Sequence, residues 1–409
     1  MNIFGKFLIL ALFFANSLYA TSISSFTPIN NDAKRLASIA DSFFYAGHYD
    51  SSTYYLIKCS EVSQRNRDWD TYILMCSYIV YNYVYQKEFD NASLWIDKGF
   101  KCSIENYGKE HEFTGRMYNS LGCLLQGRGD NAGAVKNFER CVNIWIDARG
   151  RDHQSVAQIY NNLGVVYRQN GDFAESIEYY QQALQIKRNQ LGEDHVRTAH
   201  SYNNLGVVYY DLGEYENALQ YYRKALNIYL AINDTLHSTS LMSLHNIGIV
   251  RSHQKKYNLA LAIYQNVLDK WSELYGVNNT YIGQLYNNMG GVNMYMDNRD
   301  ASLNFFLKAL KIIKDTHGTY HPEVGKIYNS IGLVHLHFRD YDKSLTYFSE
   351  ALKSFIKVEK TQMQNLDIQF MLTEFKKKYK VEELEVNSNR YLLNNLIHQA
   401  NVYYLKYLQ

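Results

Sequence analysis

Apolar side chains recur along most of this chain at intervals of three and four residues, and short polar turns interrupt them. Between residues 160 and 184 a first apolar series ends at the turn Asn170-Gly171-Asp172, and a second begins directly after it at Phe173. This interval is typical of amphipathic helices, and the turn sequence ends one helix and starts another. The pattern therefore predicts two helices, A and B, joined by a tight turn.

The two-helix pattern repeats every 42 residues. Its clearest marker is a glycine of helix A that returns six times, as Gly122, Gly164, Gly206, Gly248, Gly290 and Gly332. A fixed period of this length is typical of solenoids, in which each unit buries its apolar face against its neighbours. We expect an all-α fold of about eight helix pairs over residues 33–360, with units at about 33–66, 71–107, 113–149, 155–191, 197–233, 239–275, 281–317 and 323–359.

A small residue in each helix predicts where A and B approach closely. In the clearest unit these residues are Gly164 in helix A and Ser176 in helix B. A larger side chain there would push the two helices apart at a cost of about 1–3 kcal/mol.

The repeated positions resemble the tetratricopeptide repeat, whose pattern is aromatic-x-x-Leu-Gly-x-x-Tyr, then a small residue, an aromatic residue and alanine. In the clearest unit the matching residues are Tyr160, Leu163, Gly164, Tyr167, Ser176, Tyr180 and Ala183. The 42-residue length, the Asn-Asn pairs at 161–162, 203–204 and 287–288, and the Gly-x-x-His connectors at 150–153 and 192–195 are similar to the kinesin-light-chain-like subclass. The resemblance implies a right-handed α-solenoid whose A helices face a concave groove.

Both ends of the chain differ from the repeats. Residues 1–20 combine Lys6, an apolar run from Phe7 to Ala15 and the small residue Ala20. This composition predicts a signal peptide cleaved near Ala20 and an exported protein, periplasmic or extracellular, with no stable membrane span after cleavage. Residues 361–409 are expected to form a C-terminal helical extension, in which the apolar segment 391–408 resembles a ninth helix A that either caps the last repeat or marks a chain that stops early. Its apolar surface also predicts self-association.

Composition argues against several classes of function. The 42 basic and 40 acidic residues give a net charge of +2 without a basic block, so nucleic acid is not an expected partner. The five cysteines occupy core positions and form no CxxC motif. The chain also has no HExxH, GxSxG or phosphate-binding loop sequence. We therefore expect no metal, no cofactor and no catalytic residues.

One slot of helix A repeats a polar side chain that is expected to face the groove. It holds Asn119, Asn161, Asn203, His245, Asn287 and Asn329. An amide offers a donor and an acceptor together, so a row of amides would pair with the backbone of an extended peptide. Arg168 and Tyr210 are expected near the same face. The alternative is that these residues bond or pack against neighbouring helices.

A second ladder lies in the connector before helix A. It consists of His111, His153, His195, His237 and His321, with Asn279 as the exception. Equivalent residues of successive units lie at least about 8–10 Å apart, whereas metal ligands converge at about 2 Å. We expect each imidazole to cap the free N–H groups of the next helix, with a pH-dependent change of repeat packing as the alternative.

These observations predict a non-enzymatic scaffold or adaptor that binds peptide segments of other proteins in an asparagine-lined groove. The alternative is a sensor or regulatory arm of a larger signalling or peptidase system, acting through the C-terminal helix. Residues 392–404 resemble the segment that links 42-residue repeats to a CHAT peptidase domain in some bacterial proteins. The residues of that peptidase are absent from this sequence, so the resemblance carries no activity.

Overall fold

A computed structural model describes residues 31–45, 48–231 and 238–356, and within these ranges the chain forms sixteen α-helices and no strand. The A helices are α1 (Asn31–Tyr45), α3 (Trp69–Gln86), α5 (Glu112–Arg128), α7 (Gln154–Asn170), α9 (Val196–Asp211), α11 (Ser238–His253), α13 (Thr280–Tyr295) and α15 (Pro322–His337). The B helices are α2 (Tyr49–Arg65), α4 (Phe89–Tyr107), α6 (Asn131–Arg149), α8 (Phe173–Leu191), α10 (Tyr215–Ala231), α12 (Tyr257–Tyr275), α14 (Arg299–His317) and α16 (Tyr341–Ile356). The predicted all-α fold of eight helix pairs is confirmed. The signal peptide, His237 and the C-terminal extension lie outside the described residues.

The described helices belong to two compact units. The N-terminal unit extends to Ile228 and the C-terminal unit begins at Tyr229, within α10. A continuous apolar core in the N-terminal unit extends from Ala33 to Ile186. In the C-terminal unit an apolar core links residues from Met294 to Ala351. Each core lies between successive helices, as expected of a repeat protein.

Helices A and B meet at their small residues, as the sequence predicts. The Ser176 hydroxyl donates to the carbonyl of Gly164 at 2.7 Å, and the same bond recurs in the pairs α13–α14 and α15–α16 at 2.8 and 2.9 Å. Gly206 packs so closely on Tyr222 that an added Cβ would lie 2.6 Å from a ring carbon. A side chain at this glycine therefore forces the two helices or the ring to move.

The 42 residues of a repeat are divided almost equally between two long helices. Helix α7 has 17 residues and α8 has 19, so neither helix is much longer than the other. The turn between A and B passes through one residue with a left-handed backbone, where non-glycine residues are strained. These residues are Lys87, Gly129, Gly171 and Gly213 in the N-terminal unit, and Lys255, Asp297 and Arg339 in the C-terminal unit.

Aromatic side chains fill much of the space between A and B. The ring of Tyr179 contacts those of Tyr160 and Tyr167, with centroids 5.7 and 5.4 Å away, and Tyr221 repeats this arrangement one pair later. These separations are typical of aromatic pairs. The abundance of tyrosine thus reflects packing within each pair. All five cysteines are buried and free, which confirms their assignment to core positions.

The A-helix face as a candidate binding site

Three polar contacts, spaced seven residues apart, join helices α7 and α9 in the N-terminal unit. Arg197 donates to Gln154 Oε1 at 2.7 Å, Asn204 Nδ2 lies 3.4 Å from Asn161 Oδ1, and Arg168 pairs with Asp211 at 2.7 Å. Seven residues are about two helical turns, so the three contacts follow one stripe of each helix. We call the surface of the A helices that carries this stripe the A-helix face.

The middle contact belongs to a ladder that recurs between successive A helices within each unit. We call the helix A position predicted to bind peptide, which holds Asn119 and Asn161, the first slot. The residue directly after it, for example Asn162, occupies the second slot. Asn162 Nδ2 donates to Asn119 Oδ1 at 2.9 Å, and in the C-terminal unit Asn288 pairs with His245 at 2.7 Å. Each bond therefore runs from the second slot of one pair to the first slot of the preceding pair, which is 43 residues earlier.

Most of the side chains predicted to line the groove are buried. Six of them have 2–8% of their surface exposed: Asn119, Asn161, Arg168, Asn203, Tyr210 and His245. Asn119 makes two of these internal bonds, since its Nδ2 also donates to the Tyr81 hydroxyl at 2.7 Å. The hydrogen bonds thus support the alternative interpretation for Asn119, Asn161 and His245, in which the side chain bonds neighbouring helices. Asn287 and Asn329 are half-buried.

Arg168 lies in a closed polar cluster. Only 7% of its side chain and 11% of the Asp211 side chain are exposed. An arginine that is buried and paired with a carboxylate cannot bind a second carboxylate without losing the first. Arg168 is therefore not a free anchor for a peptide carboxylate.

His245 is the exception among the asparagines of the first slot. Its ring contacts those of Tyr264 and Trp271, with centroids 5.7 and 5.6 Å away, and its Nε2 atom faces the amide of Asn288. Burial lowers the pKa of His245 to about 3. The imidazole is therefore neutral at physiological pH, and Nε2 can accept the hydrogen bond from Asn288 Nδ2.

The ladder has a break between α13 and α15. Here the second slot holds Ser330, whose hydroxyl donates to the carbonyl of Lys326 in its own helix. The Oδ1 atom of Asn287 is buried and receives no hydrogen bond from the described residues. Since serine is shorter than asparagine and bonds elsewhere, it leaves this acceptor without the donor that the other pairs supply.

Sequence profiles identify the repeat that builds this face. Profiles of the tetratricopeptide repeat match residues 114–182, 155–231, 240–281 and 281–357, which together make up more than half of the chain. The chain belongs to the tetratricopeptide repeat family. Among curated protein sequences, none matches this tetratricopeptide chain.

Three solved structures are similar to this tetratricopeptide protein. The apo form of the quorum sensor NprR from B. thuringiensis is 13% identical, covers 80% of this chain and 88% of its own, and has a TM-score of 0.57. Aspartyl phosphate phosphatase F from Bacillus subtilis is 14% identical, with coverage of 91% and 96% and a TM-score of 0.54. The repeats of a kinesin light chain from Podospora anserina are 18% identical, with coverage of 49% and 95% and a TM-score of 0.43. At these identities the similarity concerns the fold alone.

A more accessible row lies one turn before the first slot. In the N-terminal unit it consists of Arg116, Gln158 and His200, and in the C-terminal unit of Met242, Gln284 and Lys326, all of them half-buried. Residues three apart on a helix share a face, so this row borders the ladder. The sequence pattern does not distinguish Gln158, His200 and Gln284 as binding residues, although they recur with the same 42-residue period.

The connector histidines cap the A helices, as predicted. The Nδ1 atom accepts a hydrogen bond from the second residue of the helix in His111, His153, His195 and His321, at 3.0–3.3 Å, and Asn279 Oδ1 does the same at 2.8 Å. Burial, reinforced by Arg149 and Arg197 respectively, lowers the pKa of His153 and of His195. A lowered pKa favours the neutral imidazole that the cap requires.

The described residues contain neither a cluster of metal-ligating side chains nor a membrane span. Across the ranges given above, no three side chains of His, Cys, Asp or Glu are grouped so that they could hold a metal ion. None of the sixteen helices is both long enough and apolar enough to cross a bilayer.

Proposed function

We propose that this protein is a non-enzymatic adaptor that binds an extended segment of another protein on its A-helix face. The observation that carries the proposal is the half-buried row that recurs every 42 residues beside the ladder, represented in the N-terminal unit by Arg116, Gln158 and His200. Solenoids of stacked helix pairs offer extended surfaces of this kind to partners. A quorum sensor, NprR, shares the fold.

The row has the chemistry to recognise a peptide backbone. Glutamine combines a donor and an acceptor in one amide, so Gln158 can pair with backbone N–H and C=O groups of a ligand whose side chains vary, and Gln284 can do so in the C-terminal unit. Asn161 and Asn203 contribute to the proposed groove only at their edges, because each is 7% exposed. Asn287 and Asn329 are more accessible, which makes them the ladder residues that we expect to contact a ligand directly.

The proposal is tested with a peptide library displayed on phage and selected against the full chain. Enriched peptides are then measured against the double variant Gln158→Ala/His200→Ala. We expect at least a tenfold weaker Kd, which is about the effect of losing one or two net hydrogen bonds. The matched control is Gln181→Ala/Gln185→Ala on the exposed surface of α8, which should bind as the wild type does.

Two outcomes would contradict the proposed function. One is that no peptide is enriched over a phage background. The other is that the enriched peptides bind the α7/α9 variant and the α8 control equally well, which would move the binding surface away from the A helices.

The location and the second candidate function rest on residues outside the described ranges. We infer export from residues 1–20, and a reporter fused to this segment should be secreted and lose about 20 residues. Self-association, or regulation through 391–408, is tested by comparing the mass in solution of the full chain with that of a chain ending at residue 386. The same number of copies in both assemblies would argue against self-association through this segment.

A further inference from the structure

A lysine occupies a core position at the joint between the fourth and fifth helix pairs. Lys187 lies in α8, in the slot that holds Trp145 in the preceding pair and Trp271 and Ile313 in the C-terminal unit. All four residues are buried, and Lys187 is only 9% exposed. Lysine is among the residues that are almost never buried unless they are paired with an opposite charge.

The partner of Lys187 across the joint is a hydroxyl. Its Nζ atom donates to Ser201 Oγ of α9 at 2.8 Å, and Ser201 is fully buried. At three equivalent joints the residue facing the slot is apolar: Ile159, Leu285 and Ile327. The α4/α5 joint has Ser103 in the slot, and the α10/α11 joint has Tyr229 and Ser243, all buried. Lys187 is thus the one basic side chain among the residues that occupy this slot from α4 to α14.

The charged group that interacts with Lys187 is positive, as a protonated lysine is. It is the Arg197 guanidinium of α9. In the preceding pair Gly115 lies against Trp145. The equivalent of Gly115 beside Lys187 is Ala157 of α7, which carries no charge. Among the residues that the structure describes, no carboxylate pairs with Lys187. Burial, reinforced by Arg197, lowers the pKa of Lys187 to about 7.

We propose that the joint between the fourth and fifth helix pairs opens locally when Lys187 takes up a proton from solvent. The neutral amine can stay against Ser201, but an ammonium ion loses its hydration there and gains only one hydrogen bond. It is better solvated when α8 and α9 separate enough for water to reach it. The three polar contacts between α7 and α9 belong to the same joint, so its opening also loosens the A-helix face.

The direction of the pH dependence follows from the two states. In the closed joint the pKa of Lys187 is about 7, and in the open joint it returns to its ordinary value of 10.5. Opening is therefore favoured progressively as the pH falls from 10.5 to 7, and the effect levels off below 7. Between pH 8 and pH 6 the opening equilibrium should rise about tenfold.

The test is hydrogen–deuterium exchange of the full chain at pH 6, 7, 8 and 9, with exchange rates corrected for the intrinsic pH dependence. The readout is the opening constant of α9 residues 196–204. In the wild type it should rise about tenfold from pH 8 to pH 6. In Lys187→Met, which keeps a long unbranched side chain and removes the amine, the opening constant should be lower at pH 6 and should lack the tenfold rise, so that any remaining pH dependence is that of His195.

Two further variants complete the test. Lys136→Met removes an exposed lysine of α6 and should keep the wild-type profile. Ser201→Ala removes the hydrogen bond of the ammonium ion and should raise opening at pH 6 more than at pH 9. His195, at the start of α9, also titrates, but its contribution is common to the wild type and Lys187→Met. A flat wild-type profile, or the same pH dependence in Lys187→Met, would overturn the proposal.

Discussion

The buried ladder is tested most directly by comparing the stability in acid of the wild type with that of a variant that lacks His245. This imidazole is 2% exposed, lies between the rings of Tyr264 and Trp271, and accepts the amide of Asn288. Protonation would place a charge in a site without a carboxylate and would turn the accepting Nε2 atom into a donor facing another donor. Acid should therefore destabilise the C-terminal unit through this one side chain.

The magnitude follows from the pKa. In the folded chain it is about 3, against an ordinary value of 6.5. Because the folded pKa is lowered, the full stability is present above pH 6.5 and is lost as the pH falls from 6.5 towards 3. A pH of 4.5 is two units below the ordinary pKa, so the unfolding free energy should be lower there by about 2.7 kcal/mol.

The assay is urea unfolding of the wild type and His245→Asn at pH 7 and pH 4.5, followed by circular dichroism. Asparagine is the residue that α5, α7, α9, α13 and α15 carry in this slot, and its Oδ1 can still accept from Asn288. The substitution has its own packing cost, but that cost is independent of pH. Between pH 7 and 4.5 the wild type should lose about 2.7 kcal/mol more than the variant, since the other histidines titrate in both proteins. An equal loss in the two proteins would refute the assignment of a buried neutral imidazole.

The remaining predictions concern stability measured by urea unfolding at pH 7. Asp211→Leu should lower the unfolding free energy by about 3–5 kcal/mol because it leaves Arg168 buried and unpaired; the double variant with Arg168→Met should recover most of the loss, and no recovery would show that the pair is not coupled. Ser330→Asn should raise stability by about 0.5–1.5 kcal/mol by donating to Asn287, whereas a loss would mean that the amide does not fit. Gly206→Ala should cost about 1–3 kcal/mol, and an unchanged unfolding curve would contradict the close A–B contact.

Much of the fold is predictable because a repeat displays the same physical requirement many times. One glycine is weak evidence, but six at equal spacing identify the point where two helices touch, and the structure places Gly164 against Ser176 there. The capping histidines are predictable for a similar reason, since their position before helix A leaves them few partners other than the free N–H groups. Local chemistry and period together determine these features.

The role of the asparagines was not predictable in the same way. A 42-residue period aligns equivalent positions, and it invites the interpretation that Asn119, Asn161 and Asn203 form a row facing the groove. The hydrogen bonds run instead over 43 residues, from Asn162 to Asn119 and from Asn204 to Asn161. That offset depends on how one A helix packs against the next, and the packing of successive helices is not encoded in the period of a single slot.

The ladder bears on how this adaptor would distinguish its partners. Side chains that are bonded to each other are nearly identical from pair to pair, and they cannot encode which ligand binds where. The neighbouring row varies instead, from Arg116 to Gln158 to His200 in the N-terminal unit. If the ladder fixes the spacing of the A helices and the row varies the chemistry along them, then substitutions in the row should change which peptides bind while leaving stability almost unchanged. Substitutions of the buried and bonded ladder residues, such as Asn119 and Asn161, should do the opposite, because the amide that remains unpaired is buried.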